Sequence, residues 1–335
     1  MKPYDYRRAD DVDSAVSTLS GRPDGMFLGG GTNLVDHLKL GIIDPDLLVD
    51  VSRLPLDTVE ELPEGGVRIG ATVRNSDAAA HPLVRNNYPM LSEALLAGAS
   101  PQLRNSATTG GNLLQRTRCP YFQDLSTPCN KREPGTGCSA LEGYHRDHAI
   151  LGASPHCVAT HPSDMAVALT ALEAGVRVLG RDGERTIPVA DLHRLPGADP
   201  SRDTVLEHGE LITAVDLPRM AGGVRSAYRK VRERASYAFA LVSVAATLQV
   251  EEGTVRDARI ALGSVAHKPW RASAAERELR GGPASEEAFR AAAEAELQAA
   301  EPLSGNAFKV PMAVNTIVAA LRSLVGDGTS RQESR

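Results

Sequence analysis

Two stretches of this chain carry residues of the kind that hold phosphate oxygens. Phe27-Leu-Gly-Gly-Gly-Thr-Asn-Leu-Val-Asp36 is echoed by Ser106-Ala-Thr-Thr-Gly-Gly-Asn-Leu-Leu-Gln115, so a Gly-Gly-(Thr)-Asn-Leu turn occurs twice. Glycine lets backbone come close to a ligand with its amide hydrogens outward, and Thr and Asn add short donors beside them. Two such loops could clamp one pyrophosphate from two sides, which points to a dinucleotide. The second group is the cysteines. All four, Cys119, Cys129, Cys138 and Cys157, fall inside one irregular segment. Their intervals of nine, eight and eighteen intervening residues contain no Cys-x-x-Cys pair and match no common ferredoxin run or zinc ribbon. Spacing leaves two disulfides, a structural zinc helped by His145, His148 or His156, and a four-thiolate iron-sulfur cluster all open.

The elements around these residues read as follows. Met26–Leu28 is a short strand entering the first loop, a brief helix over 32–40 leaves it, and 47–51 is the next strand, a small β-α-β unit. A strand over 66–73 precedes helices over 76–84 and 88–99, with Ser76 and Ser92 as caps or first-turn residues. From 114 to 160 no period is sustained, and a segment that long needs something besides its own backbone to hold it. A helix over 162–172 follows, with Pro162 in its first turn and Ser163 or Asp164 at its entrance. Two strands, 175–179 and 184–188, then flank the turn Arg181-Asp-Gly183. Beyond Gly222-Gly223, three strands (224–231, 240–250, 255–264) and three helices (272–280, 285–299, 308–325) suggest a layered α+β domain. The polar tail 326–335 is expected to be mobile.

Composition excludes several classes. The 335 residues are 42% hydrophobic and 24% charged, an ordinary globular balance with room for two or three domains. A formal charge of −5, spread along the chain, provides no basic face for nucleic acid. No run is apolar enough to span a membrane, and residues 1–10 lack the core of a secretory signal, so the expected location is the cytoplasm. A nicotinamide site is imitated by Gly29-Gly30-Gly31 and by Asp50 some twenty residues on, but Leu34 stands where the third fingerprint glycine belongs. Such a site would also have no use for the second loop.

Together, Gly29-Gly-Gly-Thr-Asn-Leu34 and Thr108-Thr-Gly-Gly-Asn-Leu113 resemble the two pyrophosphate loops of the flavin subunit of molybdenum hydroxylases, the xanthine dehydrogenase and carbon monoxide dehydrogenase medium-subunit family. Pro162-Ser-Asp164, Tyr228-Arg-Lys230 and Pro302-Leu-Ser-Gly-Asn-Ala-Phe-Lys309 extend the likeness over nearly the whole chain, and it is strongest to flavin subunits of bacterial aldehyde oxidoreductases of the periplasmic type. The implied fold is α+β: a two-subdomain FAD-binding fold of the PCMH (vanillyl-alcohol-oxidase-like) type, 1–55 and 56–221 with an insert at about 114–160, then an α+β C-terminal domain, 222–325, of three strands and helices.

The resemblance implies FAD held by Leu28, Gly29, Gly30, Gly31, Thr32, Asn33 and Leu34 on one side and Thr108, Thr109, Gly111 and Asn112 on the other. Asp164 would bond the flavin's sugar-alcohol chain, Leu211 and Ile212 would lie near the isoalloxazine, and Lys230 would place positive charge beside it. A helix-terminal acid, core strand residues and an exposed lysine are the plainer readings of those four positions. Arg118-Cys-Pro-Tyr121, Pro128-Cys-Asn-Lys-Arg-Glu-Pro134, Gly137-Cys138 and His156-Cys-Val-Ala-Thr-His-Pro162 look like the insert that holds a [4Fe-4S] centre, with Cys119, Cys129, Cys138 and Cys157 as ligands and His148, His156 and His161 outside the ligand set.

The implied function is electron transfer. A large molybdopterin-binding subunit would oxidise an aldehyde, a small [2Fe-2S] subunit would relay electrons, and this chain would collect them on FAD for an external acceptor. A flavin subunit of a xanthine or heterocycle dehydrogenase, a free-standing flavin oxidase and a zinc-braced adaptor without flavin are the alternatives. Many relatives carry an acid shortly after the arginine matching Arg234, where this chain has Ser236, Tyr237 and Phe239, so nucleotide-acceptor handling does not carry over. Co-export with a signal-bearing partner would place the chain in the periplasm instead.

Overall fold

The computed structural model describes residues 2–325 and contains three sheets. The first is parallel, in the order β1-β3-β2, from β1 (Asp5–Arg8), β2 (Gly25–Leu28) and β3 (Leu47–Asp50). Its crossovers are the helices Val12–Ser20 and Leu34–Leu40. Asp11 starts the former with a reciprocal cap, its carboxylate accepting from Ser14 N while Ser14 Oγ accepts from Asp11 N. Ala15, Val16 and Leu19 then pack on Leu47 and Val49. The β-α-β reading of residues 26–51 holds; β1 and the helix before β2 were not foreseen.

The second sheet has the order β4-β5-β8-β6-β7, from β4 (Val59–Glu61), β5 (Val67–Gly70), β6 (Gly175–Gly180), β7 (Gly183–Pro188) and β8 (Leu211–Leu217), every neighbouring pair antiparallel. The chain thus leaves the sheet after β5, runs through the irregular segment, and returns to complete it. The expected helix over 76–84 is two helices, Asn75–Ala80 and Pro82–Asn87, because Pro82 forces His81 into extended backbone. Ser92 is not a cap: it lies inside the helix Pro89–Ala97, and its hydroxyl donates to Ala79 O. Pro162 precedes the helix Asp164–Ala171 rather than opening it, and Ser163 is the cap, accepting from Ala166 N.

The third sheet has the order β12-β11-β10-β9, all antiparallel: β9 (Arg225–Val231), β10 (Val242–Glu251), β11 (Thr254–Gly263) and β12 (Trp270–Arg271). β12 adds a fourth strand to the three expected. Helices Ser273–Leu279, Glu286–Leu297 and Lys309–Val325 join this sheet in a common core that includes Val244, Ile260, Phe289 and Ile317. Every residue of Asp164–Ala171 is buried, so this helix has no solvent face. It shares a core with Val215 of β8 and with Ala245 and Ala261 of the third sheet, and its first residue, Asp164, is thereby fixed at a seam between layers. Among the described residues no helix is long and apolar enough to cross a membrane, and the tail 326–335 lies outside them.

Candidate functional site

The two glycine stretches touch. A Cβ on Gly30 would lie 2.0 Å from Ser106 O, and Ser106 Oγ donates back to Gly30 O at 3.0 Å. Gly29 has the Thr108 hydroxyl 3.1 Å from where its Cβ would be, while Gly31 needs its hydrogen side chain for a φ of +71°. The first loop runs straight from β2 into Leu34–Leu40; the second is itself partly helical, with Thr108 Oγ1 accepting from Gly111 N at the start of Thr109–Leu113. Each asparagine stiffens its loop. Asn33 Oδ1 accepts from Arg116 N at 2.8 Å while its amide donates to His37 Nε2, whose ring is held neutral by burial and the nearby Arg116 and Arg118, with its pKa near 4. Asn112 Oδ1 accepts from Ser163 Oγ and Gln115 Nε2.

Between the loops and the second sheet lies a cavity of about 910 Å³, within the range of a cofactor site. Gly29, Gly30, Gly31, Thr32, Asn33 and Leu34 line one side, and Thr108, Gly111 and Asn112 the other, with Asp164, Leu211, Ile212 and Lys230 further along. Two expected residues are elsewhere. Leu28 remains on β2, and Thr109 turns inward, its hydroxyl and amide both donating to Val73 O. The amide hydrogens of Gly30, Gly31 and Thr32 meet no acceptor of the chain among the described residues. Donors of that kind fit a pyrophosphate.

Lys230 is not a free charge beside the cavity. Its ammonium sits 2.8 Å from Asp164 Oδ2 and also donates to Ala97 O, both side chains being nearly buried, and Tyr228 donates to the other carboxylate oxygen. Asp164 therefore neutralises Lys230, and the pair presents a fixed dipole rather than a cation. Arg118, Arg234, Tyr237 and Phe239 also line the cavity, a place the sequence reading does not give them. Arg118 stacks over Phe239 and keeps its buried Nε unpartnered, while Arg234 donates to Tyr237 O and stacks over its ring. The sequence marks Arg234, Tyr237 and Phe239 only for acceptor handling and Arg118 only as part of the cysteine segment; nothing in their spacing places them at the cavity.

None of the four cysteines is in a disulfide, and they line one small cavity with Lys131 and His156. Cys129 and Cys138 face each other across an antiparallel bridge, and Cys157 pairs with Ser154 in the same way. Burial pushes the Cys119 thiol up to about 11 and the Cys157 thiol up to about 12, so a cation is needed to hold them as thiolates. No three His, Cys, Asp or Glu side chains among the described residues converge on a point for a single ion. The four thiols share the lining of one hollow. His148 Nε2 lies 3.1 Å from Cys119 Sγ; His161 stacks on His193 instead, and His156 contributes its carbonyl to Asn130 Nδ2.

Asp203 fastens this segment to the loops. It binds Arg116 Nε at 2.6 Å and, through its other oxygen, the buried Lys131 ammonium. Burial raises the Asp203 carboxyl, but Arg116 and Lys131 outweigh that and hold it well below the usual carboxylate range. Its contribution is therefore present above about pH 4 and lost as pH falls through the lower folded value. Asp203→Asn is expected to cost about 2–4 kcal/mol, because the Lys131 charge stays buried without its counter-ion. Thermal melts of the two proteins from about pH 5 down to about pH 2 check this: wild type should lose its advantage over the variant progressively, mostly in the lower half of that range.

Residues 2–220 match the family described as the FAD binding domain in molybdopterin dehydrogenase, and residues 226–324 match the CO dehydrogenase flavoprotein C-terminal domain. The chain is 51% identical to the aldehyde oxidoreductase FAD-binding subunit PaoB of Escherichia coli K12, over 96% of this chain and 98% of that protein. It is 29% identical to the carbon monoxide dehydrogenase medium chain of Hydrogenophaga pseudoflava, over 96% of each. A carbon monoxide dehydrogenase structure from the same organism superposes with a TM-score of 0.76, at 29% identity, covering 97% of this chain and 99% of that one.

Proposed function

The chain belongs to the family of FAD-binding medium subunits of molybdenum hydroxylases, and on that premise we propose that it is the FAD-binding electron-transfer subunit of a heterotrimeric molybdenum-containing aldehyde oxidoreductase, carrying a [4Fe-4S] cluster of its own. Its partners in this reading are a large molybdopterin-binding subunit and a small [2Fe-2S] subunit. The observation that carries the reading is the single cavity closed by Gly29–Leu34 from one side and Thr108–Asn112 from the other.

FAD, when bound, accepts electrons singly and passes on one or two, which suits a chain standing between one-electron donors and an external acceptor. The protein's residues do the rest. Gly30, Gly31 and Thr32 would offer amide donors to the pyrophosphate, Thr108, Gly111 and Asn112 would meet it from the other side, and the Asp164–Lys230 pair would orient the sugar-alcohol chain. Cys119, Cys129, Cys138 and Cys157 would hold the cluster, joined to the second loop by the five residues between Leu113 and Cys119. Export with a signal-bearing partner accords with the likeness to periplasmic-type aldehyde oxidoreductases.

Iron, zinc and flavin analysis of one sample of the purified complex tests the reading. One FAD and four irons per chain beyond the small subunit's content, with flavin bands over a broad iron-sulfur shoulder, are expected. Zinc without flavin would establish the adaptor instead, and flavin without iron beyond the small subunit's content would remove the cluster.

A further inference from the structure

The segment Pro302–Lys309 stands far from both glycine loops in sequence, and two of its polar side chains are turned fully inward. Asn306 and Lys309 are fully buried, at 0% exposure. Asn306 Nδ2 donates to His148 O and Ala149 O at 3.2 and 3.1 Å, while its Oδ1 accepts from Leu303 N. The Lys309 ammonium donates to His148 O at 2.9 Å and to Ser264 O and Asp147 O. Gly305 N donates to His145 Nε2 at 2.9 Å. The C-terminal domain thus grips the His145 ring and the backbone carbonyls of residues 147–149 through several independent hydrogen bonds, a large investment of buried polar groups for a stretch with no helix or strand of its own.

What that grip positions is the His148 imidazole. The ring is 3% exposed, its Nε2 lies 3.1 Å from Cys119 Sγ, and its Nδ1 is buried without a hydrogen-bond partner. Sulfur as thiolate is an acceptor only, so the proton of a neutral ring belongs on Nε2, pointing at the sulfur. We propose that His148, held by Asn306 and Lys309, donates a hydrogen bond to the Cys119 thiolate and thereby raises the reduction potential of the cluster, setting it to exchange single electrons with the flavin. The inference rests on the cluster assignment made above. One added electron increases the negative charge on the cluster and its four thiolates, and a donor aimed at one sulfur stabilises that reduced form more than the oxidised one. His148 is a positioning residue in this scheme and carries no electron itself.

The test uses the purified complex, its iron content being measured first; absence of the extra cluster in wild type would be a failure of the assignment, visible before any variant is made. His148→Leu removes the donor and His148→Gln keeps an amide donor at similar reach. Both should retain wild-type iron and FAD. The leucine variant should shift the one-electron equilibrium of the cluster about tenfold toward the oxidised form, about 59 mV in midpoint potential, and glutamine should recover most of the shift. Equal potentials in wild type and the leucine variant, or equal shifts in both variants, overturn the proposal. A readout independent of variant folding is pulsed electron paramagnetic resonance of the reduced wild-type complex with nitrogen-15 histidine. A weak coupling from one non-ligand histidine nitrogen is expected; none at all, or one as strong as a direct iron ligand gives, overturns it.

Discussion

Replacing Gly30 with alanine should weaken FAD binding while leaving the rest of the chain folded. The added Cβ would stand 2.0 Å from Ser106 O and 2.8 Å from Ser106 C, separations that no relaxed structure tolerates. Both obstacles are backbone, so no side chain can rotate aside. The loops would have to part by about an ångström, breaking the Ser106 hydroxyl bond to Gly30 O and moving the free amides of Gly30, Gly31 and Thr32 away from the surface formed by Thr108 and Gly111. Overpacking of this kind costs about 1–3 kcal/mol. Because the two loops meet at the site itself, that cost falls on cofactor affinity, a loss of about tenfold to a hundredfold. Titration of flavin-stripped complex with FAD, followed by fluorescence quenching, measures it. Gly222→Ala is the matched control, since nothing lies within 4 Å of its Cβ position, and it should bind FAD as wild type does. An unchanged FAD affinity in the Gly30 variant would mean that the glycine contact is a turn without bearing on the cofactor.

That variant separates two reasons for glycine that the amino-acid pattern alone merges. The Gly-Gly pairs were read as permitting close approach of a ligand, and Gly30 instead permits close approach of the other loop, while Gly31 is required by its backbone angle. The echo between the two stretches was legible because each loop has its residues in sequence. Their mutual contact was not, because it depends on β5 leading to the second loop and on the sheet being completed only after residue 174. Long periodic elements such as Lys309–Val325 and β10 declared themselves through their apolar residues. β1 did not: all four of its residues are exposed and polar or aromatic, and only pairing with β3 makes it a strand. Lys230 shows the same limit at the site, since its sequence position says nothing of the carboxylate that neutralises it.

Cys138→Ser should remove the extra iron and weaken, without abolishing, the hold on FAD. A serine hydroxyl is neither as acidic nor as soft as a thiol, so three thiolates would remain for a group that needs four. Within 114–160 the regular structure is a single four-residue helix, Pro120–Gln123, with isolated bridges at Cys129–Cys138 and Ser154–Cys157. Without a ligated centre, residues 149–151 keep their backbone bonds to Val158, Val265 and Glu301, while the stretch from Cys119 to Cys138 is left to its own turns and to side-chain ties. Those ties lead straight to the glycine loops: Asp203 holds Lys131 and Arg116, and Arg116 N donates to Asn33 Oδ1 in the first loop. Loosening the segment therefore frees Asn33 but leaves the Gly30–Ser106 contact intact, because that contact runs through no residue of the insert. FAD affinity should fall about tenfold, or about 1.4 kcal/mol, and saturating FAD should restore full occupancy. Iron analysis and FAD titration of the same sample check both halves. Full iron content would refute the ligand assignment of Cys138. Loss of iron with unchanged FAD affinity would show that the tether through Arg116 transmits nothing, and that cluster and flavin bind independently.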